Sequence, residues 1–93
     1  MVEVLFEYAE RVRDSNDSAY AVRACGELLP DGKWSGWLEF IPVKGDAPVL
    51  ATGRESLQAN RTAIRYWASG LEPVYLEGAL ERAIGLKGTG DAA

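Results

Sequence analysis

The chain has 93 residues, one cysteine, no histidine and a formal net charge of -4. That is enough for one domain and too few for two. A single cysteine excludes an intramolecular disulfide, and the lack of histidine removes the commonest general base and metal ligand. The acidic balance opposes general binding to a phosphate backbone. With 47% hydrophobic and 26% charged residues the composition is that of a folded soluble protein.

Residues 2–12 alternate, with Val2, Val4, Phe6 and Tyr8 set against Glu3, Leu5 and Glu7. Period two predicts a strand with one buried face, here the Val4 and Phe6 face. The interspersed acids argue against a signal peptide, and no apolar run reaches the roughly 20 residues of a membrane span. A cytoplasmic location is therefore expected. Residues 14–18, Asp-Ser-Asn-Asp-Ser, read as a turn.

A second strand is expected over 19–27, with Tyr20, Val22 and Ala24 on one face and Ala21, Arg23 and Cys25 on the other. Gly26 is expected to end it or to mark a bulge. The segment Leu29-Pro30-Asp31-Gly32-Lys33 is the strongest hairpin signal, because Pro presets a turn corner, Asp bonds its own backbone and Gly accepts positive φ. A third strand follows over 34–43. Trp37, Glu39 and Ile41 share one face, Gly36, Leu38 and Phe40 the other, and Pro42 lies at the end. After the turn Lys44-Gly45-Asp46-Ala47, a short strand over 48–52 returns beside the third.

The period then changes. A helix is expected over 57–69 with Ser56 as N-cap, or starting from Asn60 as the alternative. Ile64, Trp67, Ala68 and Leu71 form its apolar face, and Gly70 is its C-terminal stop. A second helix begins with Pro73 at its first position. Its stripe is Leu76, Ala79, Leu80, Ala83 and Ile84, and Gly85 is expected to stop it. Gly78 inside that helix costs about 1 kcal/mol relative to Ala, which close packing against another element would offset. Residues 87–93 read as a disordered tail.

No catalytic or metal-binding motif is present, no cofactor is implied, and the balance leans away from an enzyme. Cys25, mid-strand among small and apolar residues, reads as inert. The segment Thr52 to Arg61 is the one polar cluster, in the only stretch with local positive charge. Arg54, Glu55, Gln58, Asn60 and Arg61 would line an anion or small-molecule site at the sheet-helix junction, since guanidinium forks grip carboxylate or phosphate. The competing reading is local: Thr52 and Glu55 form a capping box and Arg54 pairs with Glu55 or a turn acid. Arg61 and Arg65 share a helix face, either solvated or docking an acidic partner. Trp34 and Trp37 lie at opposite parity on one strand, so one of them is a candidate contact residue, whereas Trp67 belongs to the core.

The order of parts from Tyr20-Ala21-Val22 through Asp31-Gly32-Lys33-Trp34 and Phe40-Ile41-Pro42 to Thr52-Gly53 and a helix resembles the small antitoxins of the HicB type, over residues 19–71. The family's Pro-Asp-Leu-Pro-Gly segment is replaced here by Pro42-Val43-Lys44-Gly45-Asp46, and the step from Gly to helix is one residue longer. No DNA-binding extension is expected after residue 85. The resemblance implies a domain that binds and neutralises a protein partner without DNA autoregulation.

These readings combine into an α+β domain over 1–86, a three- or four-stranded antiparallel meander with two C-terminal helices on one sheet face. The expected core is Val4, Phe6, Tyr20, Val22, Leu38, Phe40, Leu50, Ile64, Trp67, Ala68, Leu71, Leu76, Leu80 and Ile84. Leu5, Trp37 and Ile41 are left as a second, partly apolar surface. The leading expectation is a non-enzymatic protein-interaction module or homodimer acting through that sheet face or through Arg54–Arg65. The alternative is an anion-binding domain at the junction.

Overall fold

In the computed structural model the backbone is described over residues 1–92 and side chains over 1–86. Six strands precede two helices: β1 (Val2–Glu7), β2 (Val12–Arg13), β3 (Ala19–Leu28), β4 (Trp34–Pro42), β5 (Leu50–Ala51), β6 (Ser56–Gln58), α1 (Arg61–Ser69) and α2 (Pro73–Ala92). The sheet is antiparallel, in the order β1-β3-β4-β5, with β2 following β1 along β3 and β6 following β5 along β4. Both helices pack on one face, α1 over β1, β3, β4 and β6 and α2 over β2 and β5. The α+β architecture is the one read from the sequence.

The central hairpin forms where the turn chemistry places it. Gly32 takes φ +90° and its N–H bonds the Leu29 carbonyl at 2.9 Å. The paired strands run in unbroken register from Tyr20↔Pro42 to Leu28↔Trp34. Even-numbered residues of β3 and β4 therefore face the helices, and Val22, Ala24, Leu38 and Phe40 are almost fully buried. Gly26 neither ends the strand nor bulges. A Cβ there would lie 2.8 Å from the Leu5 Cδ1, so its role is to admit Leu5.

The expected faces of the first strand are reversed in part. The register slips between Val4 (opposite Cys25) and Phe6 (opposite Ala24), so β1 carries a bulge. The extra residue resets the parity. Leu5 enters the core at 5% exposure, whereas Val4 and Phe6, expected there, are 45% and 38% exposed. Leu5 thus leaves the second surface to which alternation assigned it. Beyond the bulge Tyr8 points at the helices and its hydroxyl donates to the Ala68 carbonyl at 2.6 Å. Val12, Ala79 and Ala83 complete the core, Trp34, Trp67 and Leu71 pack against it partly buried, and Ile84 is 38% exposed.

The passage from sheet to helix also differs from the expected helix over 57–69. Residues 56–58 form β6 beside β4, and Asn60, the alternative start, is the N-cap: its side chain accepts the Ala63 N–H at 2.8 Å. Three residues are too few for alternation to register as a strand. Gly70 closes α1 in a right-handed conformation, with φ -97° and ψ 0°, its N–H bonding the Trp67 carbonyl. α2 runs through Gly85 instead of stopping there. A Cβ on Gly78 would meet only the Arg82 side chain at 3.6 Å, so close packing against another element does not explain that glycine. The tail expected over 87–93 lies outside the residues with described side chains.

Candidate functional site

The polar segment 52–61 does not assemble into one site. Thr52 is 7% exposed and fills a gap in the sheet ladder between β5 and β6. Its N–H donates to the Leu38 carbonyl at 2.9 Å, and its hydroxyl accepts the Leu38 N–H at 3.0 Å while donating to the Gly53 carbonyl at 2.8 Å. This satisfies a backbone donor that the break would strand. The capping box with Glu55 is therefore not formed.

Glu55 turns toward α2. Its carboxylate accepts the Tyr75 hydroxyl at 2.5 Å and the Arg82 guanidinium at 2.5 Å, and Arg82 stacks 5.5 Å from the Tyr75 ring centre. Arg54 bonds Ser35 Oγ at 3.0 Å on the other side of the sheet, not Glu55. Gln58 donates to Ser56 Oγ at 2.7 Å, and Asn60 is spent on the cap. Arg61 grips Glu3 through its Nε and one terminal nitrogen, and Arg65 lies 3.7 Å from the same carboxylate. The Arg61 hydrogen bond holds the Glu3 carboxyl below its ordinary range. Arg54, Glu55 and Arg61 thus diverge toward β4, α2 and β1, Gln58 and Asn60 bond locally, and each has an internal partner.

A different surface is left free. The helices cover the even-numbered face of β3 and β4, and no helix among the described residues packs on the odd-numbered face. Its rows follow from the register: Ala21 beside Ile41, Arg23 beside Glu39, Cys25 beside Trp37 and Glu27 beside Ser35. The outer strands extend the rows, Val4 joining Cys25, Val2 joining Glu27, Glu7 joining Arg23 and Leu57 joining Ser35. Val2, Val4 and Leu57 are exposed, and Trp37 and Ile41 are half-buried. Trp34, at the opposite parity, packs against the core on the helix side.

The centre of this face is held rigid. Arg23 places two nitrogens on the Glu39 Oε1, each at 2.7 Å, and the Trp37 indole N–H donates to Oε2 at 3.2 Å. Partial burial opposes ionisation of Glu39, and the Arg23 and Trp37 hydrogen bonds outweigh it, leaving the carboxyl below its ordinary value of 4.5. Cys25 is 1% exposed, and burial together with the Glu39 charge pushes its thiol up to about 11. A thiol so placed is a packing group, not a nucleophile.

Because the folded Glu39 carboxyl is the stronger acid, its contribution to stability is complete above the unfolded value near 4.5 and is lost as the pH falls through the lower folded value. Acid titration of denaturant unfolding is expected to show stability declining below that pH, and Glu39→Gln is expected to make the decline shallower. An unchanged acid limb in the variant would remove Glu39 from the account.

Among the described residues no helix is long and apolar enough to cross a membrane, and no group of three or more Cys, Asp or Glu side chains is arranged to hold a metal ion. The polar cluster was visible in the sequence as composition, but its dispersal was not, because the partners Ser35, Tyr75, Arg82 and Glu3 are distant in the chain. Compared with protein families, with curated proteins and with solved structures, the chain matches none.

Proposed function

We propose that this chain is a non-enzymatic protein-interaction module whose contact surface is the helix-free sheet face. The observation that carries the reading is Trp37, its indole held by Glu39, which is itself paired with Arg23, in the row of Cys25 and Val4 on a face that no helix covers. Trp and Arg dominate the energetics of protein interfaces, and an indole already fixed in one orientation loses little entropy on binding. Of the residues first considered, Trp37 and Arg54 belong to this face, Arg54 at its rim through Ser35. Arg61 and Arg65 serve Glu3 instead. The likeness of residues 19–71 to HicB-type antitoxins supports the same class of role, a small domain that binds and neutralises a protein.

The test pairs Trp37→Ala with Tyr66→Ala, since Tyr66 is 81% exposed on the helical side. Wild-type protein is used to capture partners from its host lysate after nuclease treatment, and its mass in solution is measured by light scattering. Either a stoichiometric partner or a dimer is expected. Trp37→Ala is expected to weaken that association by about 30-fold, in the range of an interface hot spot, with unchanged thermal melting. Tyr66→Ala should leave it intact. A monomer that captures nothing, or equal loss in both variants, would sink the reading.

A further inference from the structure

Arg11, Arg13 and Lys44 converge on one cavity of about 440 Å³ at the end of the sheet where β2 meets β3. Strand geometry brings them together. Val12 is buried in the core, so the residues flanking it project away from the helices. Arg13 lies opposite Ala19, whose carbonyl in turn accepts the Val43 N–H at 3.0 Å, and this places Lys44 against β2 although it lies over thirty residues further along the chain. Pro42 and Val43 supply an apolar wall.

The charges at this cavity are not balanced from within. Arg13 is 3.5 Å from Asp17 and donates to the Asp17 carbonyl at 3.0 Å. Arg11 and Lys44 have no hydrogen-bond or ion-pair partner among the described residues. Three cations against one carboxylate leave two positive charges in excess, on a chain whose net charge is -4. The cavity volume lies within the range of small-molecule pockets, which combine apolar walls with a few convergent polar groups.

We infer that this cavity is a binding site for a small phosphate monoester, its dianionic head between Arg11, Arg13 and Lys44 and a compact apolar body against Pro42 and Val43. A dianion matches the excess charge, and guanidinium forks bond phosphate oxygens in a bidentate way. The cations are exposed, so the affinity falls as salt screens them. This site lies at the end of the same helix-free face, three rows from Cys25 and Trp37, and its binding does not depend on the contact proposed there.

The probe is phenyl phosphate, titrated into the full chain at low salt and followed by amide and side-chain NMR shifts. Saturable shifts confined to Arg11, Arg13, Ala19, Val43 and Lys44 are expected, with weaker binding of benzoate, a monoanion of similar shape. Arg11→Gln and Lys44→Gln should each reduce the affinity about tenfold, the scale of one charged hydrogen bond. Lys33→Gln, which removes the same charge in the distant β3–β4 turn, should not change it. An absence of shifts at the cavity, benzoate binding as tightly as phenyl phosphate, or equal weakening by Lys33→Gln would overturn the assignment.

Discussion

Phe40→Ala is expected to lower the unfolding free energy by about 3–5 kcal/mol, as large-to-small changes of a wholly buried aromatic do. Phe40 has no solvent exposure and lies in register between Val22 on β3 and Leu50 on β5, directly beneath the helices. Removal of the ring forfeits its transfer from water and leaves a cavity. The rigid pairing of β3 with β4 allows little collapse into that space. Domains of this length are stable by roughly 5–14 kcal/mol in total, so this one change removes a large part of the margin. Denaturant unfolding at constant slope would show it as a shift in midpoint. A loss under about 1 kcal/mol would mean that the core is not centred on Phe40.

Gly36→Ala comes next, with an expected loss of about 1–3 kcal/mol or more by overpacking. A Cβ at position 36 would lie 2.6 Å from the Trp67 ring and 2.9 Å from the Ile64 Cδ1. Ile64 is fully buried and Trp67 is wedged against the core, so neither can retreat without lifting α1 from the sheet. The missing side chain at Gly36 is what lets α1 sit this close to β4. Gly53 is the control, because a Cβ there meets nothing within 4 Å and its backbone has no positive φ. Gly53→Ala is therefore expected to be close to neutral. If the two alanine variants melt together, steric contact with α1 is not the reason for Gly36.

The parts of the fold that alternation and turn chemistry specify were legible in the sequence. The β3–β4 hairpin follows from Pro30-Asp31-Gly32 and from the parity of the two strands that flank it, and the buried face of α1 from the spacing of Ile64 and Ala68. Parity also places Trp37 and Ile41 together on the second face. It failed at Val4 because a bulge inserts one residue without any mark in composition, whereas Phe6 keeps the row of Ala24 and is 38% exposed on an outer strand. It failed at Ser56 because its hydroxyl fits an N-cap as well as Asn60 does, and only the pairing of residues 56–58 with β4 decides between them.

The candidate surfaces were less legible for a different reason. Arg54, Glu55 and Arg61 attracted attention by proximity in the chain, yet antiparallel pairing sends neighbours to opposite faces and hands each a distant partner. Arg11, Arg13 and Lys44 are unremarkable in sequence and meet only because Ala19 and Val43 are joined across the sheet. One signal was available: two arginines flanking a buried valine must share a side.

Both outer positions of the sheet are interrupted, β1 by its bulge and the gap before β2, β5 by the break at residues 52–55 before β6. Short or bulged borders offer little continuous unpaired backbone for another chain to extend. The protein is thereby protected against growing into ribbons of stacked copies, even though Val2, Val4 and Leu57 are exposed near those borders. The same interruption bears on how any partner is recognised. Main-chain pairing tolerates many sequences, whereas contact through protruding side chains does not, so a partner on the proposed face would be discriminated by the identity of a few residues, open to change by single substitutions.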